Sequence, residues 1–112
     1  MVRKSADGGN SWITVDNYQL FTSGNQVAVG FAADSNGNLY VAGWASASTT
    51  QGPYYWIVRK NPGGTGTWTT VDNFQYVASA QTHSIAADGL GNVFVGGQGA
   101  ASDGAHWLVR RK

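Results

Sequence analysis

Residues 32–43 read AADSNGNLYVAG, and residues 86–97 read AADGLGNVFVGG. Each copy places an aspartate and a glycine between two short runs of small, β-branched and aromatic side chains. That pattern is typical of two antiparallel strands joined by a tight turn. The duplication therefore predicts an all-β chain that is built from one repeated unit of strands.

The similarity extends on both sides of this hairpin. Trp12 aligns with Trp68 at a spacing of 56 residues, and residues 56–59 (WIVR) align with residues 107–110 (WLVR) at a spacing of 51. The spacing changes in segments rich in glycine, serine, asparagine and threonine, which indicates that the length differences fall in loops. A strand repeat of roughly fifty residues predicts a β-propeller-like array, in which each unit buries its apolar face only against its neighbours.

The composition excludes several classes of function. Seven lysines and arginines against six acidic residues, all aspartate, give a net charge of +1, which argues against electrostatic binding of nucleic acid or of a membrane surface. The chain has no cysteine, so disulfides and thiolate metal sites are excluded. No apolar run approaches the roughly 20 residues that a membrane-spanning helix needs.

The strands are unequally shared between the repeats. We expect one domain, residues 1–112, made of two four-stranded blade equivalents with repeats at about 1–57 and 58–112. The pattern predicts strands at residues 11–16, 27–33, 38–45, 54–60, 67–72, 82–87, 92–98 and 105–111.

The second repeat lacks a fourth strand, while the N-terminal strand at 11–16 is left over. A bare sheet edge promotes aggregation. We therefore expect strand 11–16 to complete a sheet formed by the C-terminal strands at 82–111, and we expect the ring to be completed by homo-oligomerisation.

The number of chains in such a ring is limited. Propellers have four to eight blades, so two units per chain allow a dimer, a trimer or a tetramer, of which we favour the trimer. Residues 2–4 (VRK) repeat the sequence of residues 58–60. The chain thus starts within a repeated strand, which favours a two-blade fragment or an engineered start.

One turn carries a recognisable motif. Residues 5–12 read SADGGNSW, which resembles the Asp-box, S-x-D-x-G-x-x-W, of the bacterial-neuraminidase-repeat propellers, a family that includes sialidases and non-enzymatic arrays. The resemblance implies a structural turn made by Ser5, Asp7, Gly9 and Trp12, away from the ligand-binding face. It also implies an extracellular or cell-surface parent protein. In the second repeat Gly63 replaces the aspartate.

The sequence argues against catalysis. A sialidase-like site needs a glutamate beside a tyrosine nucleophile, and the chain has no glutamate. His83 and His106 lack the spacing of metal ligands, so we expect neither a metal nor a cofactor. Arg59 and Arg110 occupy equivalent positions, where we expect them to lie on solvated strand faces or to pair with aspartates of the adjoining outer strand.

Two groups of loops are expected to emerge on one face of the ring, and they are rich in aromatic and amide side chains. Such side chains suit sugars, because aromatic rings stack on C–H faces while amides bind hydroxyls. The candidate ligand-binding residues are Tyr18, Gln19, Trp44, Gln51, Tyr54, Tyr55, Gln75 and Tyr76. Tyr18 has an aromatic counterpart, Phe74, in the other repeat, so both also suit packing between blades.

These patterns predict a non-catalytic, self-assembling propeller module that binds glycans or proteins through one face. Two alternatives remain open. One is a purely structural or engineered propeller fragment without a ligand, and the other, less favoured, is a sialidase-like glycoside hydrolase.

Overall fold

The computed structural model describes all 112 residues, and it contains nine β-strands and no α-helix. The strands are β1 (Val2–Lys4), β2 (Ile13–Asp16), β3 (Asn25–Ala33), β4 (Leu39–Ser46), β5 (Tyr55–Asn61), β6 (Thr69–Phe74), β7 (Ser79–Ala87), β8 (Val93–Ala101) and β9 (Gly104–Arg111). They form three sheets, which we call the N-terminal hairpin (β1–β2), the central sheet (β3–β6) and the C-terminal sheet (β7–β9). The predicted all-β fold is confirmed.

The central sheet is an antiparallel meander of four strands in the order β3-β4-β5-β6. Its strands lie where the sequence pattern placed them, with ends displaced by a few residues. A 3₁₀ turn at Pro62–Gly64 joins β5 to β6, and Gly63 takes a φ of 61° there. The second copy of the turn motif, which lacks the aspartate, therefore folds as a proline–glycine turn.

The C-terminal sheet contains three antiparallel strands in the order β7-β8-β9. Its β7–β8 register repeats that of β3–β4: Ala32 lies opposite Tyr40, and Ala86 lies opposite Phe94. One edge of β9 pairs with β8, and its other edge has no strand beside it. The second repeat therefore lacks its fourth strand in the structure as well as in the sequence.

The N-terminal hairpin is a shortened copy of the β5–β6 pair. In it Val2 lies opposite Asp16 and Arg3 opposite Thr14. The β5–β6 pair places Val58 opposite Asp72 and Arg59 opposite Thr70. Both pairs have an irregularity between the valine and the arginine.

Within one chain, β2 therefore pairs with β1 and not with the C-terminal strands. β1 was not among the predicted strands, although residues 2–4 repeat the sequence of the strand at residues 58–60. The pairing of the strand at 11–16 with the C-terminal strands of another copy stays a prediction.

The core lies between the central and C-terminal sheets. Its buried members are Tyr40, Ala42, Trp56, Val58, Ala80, Val93 and Val95. Trp56 of β5 is fully buried at this contact. Each large apolar side chain buried in this way contributes roughly 1.5–3 kcal/mol to the free energy of unfolding, so the two sheets hold each other in place.

Aspartates close the two repeated hairpins. Oδ1 of Asp34 accepts hydrogen bonds from the backbone N–H groups of Asn36 and Asn38, each at 2.9 Å. Asp88 binds the N–H groups of Leu90 and Asn92 in the same way. Side-chain hydrogen bonds from Asn38 and Asn92 are the main reason that the pKa of each aspartate is lowered. These aspartates fix turns.

Candidate functional site: the contacts between sheets

An ion pair joins each sheet to the sheet that precedes it. Arg59 of β5 binds both carboxylate oxygens of Asp16, at 2.7 and 2.8 Å. Arg110 of β9 binds both carboxylate oxygens of Asp72, at 2.9 and 3.0 Å. The sequence alternative that paired these arginines with aspartates of the adjoining outer strand is the one found. The bidentate geometry fixes the relative position of neighbouring sheets.

An aromatic ring lies under each of these guanidinium groups. The guanidinium carbon of Arg59 is 4.3 Å from the ring centre of Tyr18, and that of Arg110 is 3.9 Å from the ring centre of Phe74. Both distances suit a cation–π contact. Tyr18 and Phe74 thus occupy equivalent positions between sheets, as their alignment predicted.

Trp56 completes the contact between the central and C-terminal sheets. Its ring meets that of Phe74 edge to face at 6.2 Å. It also lies so close to Gly97 of β8 that a Cβ atom there would be 2.8 Å from Cζ3 of the indole. Gly97 therefore leaves the space that the tryptophan occupies.

The place beside the central sheet that is equivalent to the Trp56 contact is an open groove. Gly43, which aligns with Gly97, lies in its wall. The other lining residues are Met1, Val2, Asp16, Tyr18, Gln26, Val27, Ala28, Val41, Trp44, Ala45, Ile57 and Arg59. The groove therefore has the ion pair and the aromatic ring of the other contact, but it has no tryptophan packed against its glycine.

The outer face of the C-terminal sheet exposes apolar residues whose counterparts in the central sheet are buried. Trp107 is 88% exposed while its counterpart Trp56 is 0% exposed. Val109 is 63% exposed while its counterpart Val58 is 4% exposed. The repeat thus presents an apolar surface with no sheet packed on it.

The candidate ligand-binding residues are divided among several places. Tyr18 and Trp44 line the groove, and Trp44 meets Tyr54 edge to face at 5.0 Å. Tyr55 packs against Phe21 at 5.3 Å. Trp44 lies opposite Trp56 and therefore shares the face that is turned to the C-terminal sheet, where Tyr54 binds Ser79. The structure thus pairs Trp44 with Tyr54 but leaves Tyr18 on the other face, in the groove.

The remaining candidates lie elsewhere. Tyr76 packs against His106 at 5.3 Å, and Gln75 donates a hydrogen bond to the Ala78 carbonyl at 3.0 Å. Gln19 and Gln51 are exposed. The predicted loop face is therefore not one continuous site in a single chain.

The turn at residues 5–12 is organised by its aspartate. Oδ1 of Asp7 accepts hydrogen bonds from the Ser5 hydroxyl at 2.8 Å and the Ser11 N–H at 2.9 Å. Gly9 takes a φ of 95°, and its carbonyl accepts a bond from Nε1 of Trp12 at 3.0 Å. Hydrogen bonds from Ser11, followed by the one from Ser5, lower the pKa of Asp7 to about 2.

No three histidine, cysteine or acidic side chains lie close enough together to hold a metal ion. None of the structure's helical segments has the length and hydrophobicity to cross a membrane.

A family model for a β-propeller repeat (SBBP) matches residues 19–48. The match covers β3, β4 and the segment that leads into them. The chain therefore carries a propeller-type repeat. No curated protein and no solved structure matches the chain.

Sequence reasoning missed the groove at Gly43 and the exposed Trp107. The signal was present, because Gly43 aligns with Gly97 and Trp107 aligns with Trp56. What the alignment lacked was the contact itself, since only the folded chain places Trp56 against Gly97.

Proposed function

We propose that this protein is a non-catalytic, structural repeat module of the β-propeller type, and that copies of the chain complete one another into a closed ring. The observation that carries this proposal is the shared register of the β1–β2 and β5–β6 pairs. β2 has the backbone pairing pattern of a fourth strand, and the C-terminal sheet lacks one.

In the proposed ring, β2 of one copy pairs with the free edge of β9 in the next. The register of the β5–β6 pair places Val109 opposite Asp16, Arg110 opposite Thr14, and Arg111 opposite Ile13. β1 occupies this place in the single chain, so it leaves β2 when the copies join. The exchange replaces three residues of β1 by the longer strand β9 and its whole sheet.

Ring completion is favoured by charge and by apolar surface. The net charge of +1 gives little repulsion between copies. The exposed Trp107 and Val109 become buried, as Trp56 and Val58 already are. A head-to-tail interface of this kind closes when its rotation matches a whole number of copies, and we favour a trimer over a tetramer or a dimer.

The turn at residues 5–12 fits the Asp-box assignment. Its carboxylate binds only groups of its own turn, which supports a structural role. The absence of glutamate from the sequence and the use of Arg59 and Arg110 in ion pairs between sheets support a non-catalytic module over a sialidase-like hydrolase.

A second candidate function is glycan binding. The observation that favours it is the edge-to-face pair of Trp44 and Tyr54, because aromatic rings stack on the C–H faces of sugars. Glycan-array binding that is lost in Trp44→Ala supports this candidate. A stable ring that binds no glycan supports a purely structural module.

Native mass spectrometry and light scattering of the 112-residue chain test the proposal. A discrete dimer, trimer or tetramer is expected, with a mass that is a whole multiple of 11.8 kDa. A folded chain that stays monomeric at all concentrations overturns ring completion.

A further inference from the structure

We infer that Trp107 of one copy docks into the groove beside Gly43 of the next copy, and that β1 covers part of this docking site in the free chain. The inference rests on the proposed ring completion and specifies the contact that drives it. The occupant is a second copy of this chain, because one chain carries both the groove and an exposed tryptophan, Trp107, that is equivalent to the one filling the other contact.

The contact between the central and C-terminal sheets is the template. It has three parts: the ion pair of Arg110 with Asp72, the packing of Arg110 on Phe74, and the insertion of Trp56 between Phe74 and Gly97. The indole lies edge to face with the phenyl ring and fills the space above the glycine.

The groove contains the first two parts without the third. Arg59 pairs with Asp16 and packs on Tyr18, and Gly43 lies in the groove wall. The tryptophan that aligns with Trp56 in the other repeat is Trp107 of β9, and it is 88% exposed. Superposing the two contacts therefore places Trp107 of a second copy between Tyr18 and Gly43.

Two equivalent positions, Thr82 and Ala28, also differ in burial between the two contacts. Thr82 lies opposite Gly97 and is fully buried. Ala28 occupies the equivalent position opposite Gly43, but it is exposed and lines the groove. The position is buried only where a tryptophan-bearing sheet covers it.

β1 partly occupies the docking site. Met1 and Val2 line the groove, and the repeat aligns them with Leu108 and Val109. When β9 of a second copy replaces β1, these two residues take the places of Met1 and Val2, and Trp107 enters the remaining space. Docking and strand exchange are therefore one event.

Two variants separate the halves of the contact. Trp107→Ala removes the inserted ring and leaves the groove intact. Ala28→Arg fills the groove and leaves Trp107 intact. Because large buried tryptophans are frequent hot spots, each variant is expected to raise the concentration at which the chain assembles by about thirtyfold or more. Leu90→Ala is the matched control, since Leu90 is also 88% exposed but lies in a hairpin turn.

Mixing the two variants gives the sharpest readout. Trp107 of the Ala28→Arg chain can enter the groove of the Trp107→Ala chain, but the reverse contact is blocked. A 1:1 complex is therefore expected in native mass spectrometry, with no larger species. This result also shows that neither variant has lost its fold.

Three other outcomes overturn the inference. If the wild-type chain assembles and both variants assemble equally well, ring completion stands but the groove is not the docking site. If the variants are monomeric and their mixture is too, their losses do not come from one shared contact. If the wild-type chain itself never assembles, the proposed ring fails together with this contact.

Discussion

Arg59 and Asp16 form a bidentate ion pair in which both side chains are largely buried, at 13% and 11% exposure. They come from different sheets, 43 residues apart, and Arg59 also binds the Trp68 carbonyl at 3.2 Å. The equivalent pair, Arg110 with Asp72, is more exposed. The same contact is therefore made twice, with different access to water.

This difference in exposure predicts that replacing the two aspartates lowers the free energy of unfolding by unequal amounts. Asp16→Asn leaves a buried guanidinium without its charge partner and is expected to lower the free energy of unfolding by about 2 kcal/mol. Asp72→Asn acts where water reaches the arginine and is expected to cost about 1 kcal/mol or less. Equilibrium urea unfolding measures both losses of stability. A larger loss in Asp72→Asn than in Asp16→Asn contradicts the view that the more buried ion pair contributes more.

Thr82 is a second position at which the effect of a substitution on stability can be predicted. Its hydroxyl is buried and has no hydrogen-bond partner. Thr82→Val keeps the shape and removes the unpaired polar group, so it is expected to raise the free energy of unfolding by about 1 kcal/mol. Thr70→Val is the control, because the Thr70 hydroxyl accepts a bond from Arg59, and no gain is expected there.

The turn at residues 5–12 is expected to be sensitive to acid. The pKa of Asp7 is lowered to about 2 from 3.8, so the ionised form stabilises the folded turn. This contribution is complete above pH 4 or so and is lost as the pH falls through about 2. A titration of the carboxyl groups followed by NMR measures the pKa of Asp7. A pKa at the ordinary value for aspartate would refute the hydrogen-bonded turn. Asp7→Asn should remove this contribution to the pH dependence, while those of Asp34 and Asp88, whose pKa values are also lowered, remain.

The register of the proposed strand pairing can be tested by cross-linking. The chain has no cysteine, so introduced pairs report cleanly. Ile13→Cys together with Arg111→Cys should form a disulfide between chains, because the two positions lie opposite each other in the proposed pairing. Ile13→Cys with Lys112→Cys is the control, since a shift of one residue turns the side chain to the other face. Equal cross-linking of both pairs argues against the register.

Locking β1 to β2 tests the strand exchange. Lys4 and Ile13 are opposite each other in the single chain, so Lys4→Cys with Ile13→Cys should form a disulfide within the chain. The oxidised protein is expected to remain monomeric, and a reductant should restore assembly. Assembly that is unaffected by oxidation means that β1 stays in place.

The sequence predicted the parts of the fold that repeat. Each strand of the central sheet was found from turn residues and alternation. The ion pair of Arg110 with Asp72 was one of two alternatives for the repeated arginines, the other being a solvated strand face. The repeat of residues 58–60 at residues 2–4 marked β1 as part of a strand, but it did not predict that β1 pairs with β2. The groove was not predicted either, because it depends on how closely Trp56 approaches Gly97 across two sheets.

The pairing of β1 with β2 also bears on aggregation. An uncovered strand edge can recruit any extended chain nearby, and the risk is greatest before the correct partner has accumulated. β1 pairs with β2 in the single chain, so it covers the edge of β2 that the proposed pairing with β9 would use. β1 is therefore expected to protect this edge from non-specific pairing until a second copy takes its place.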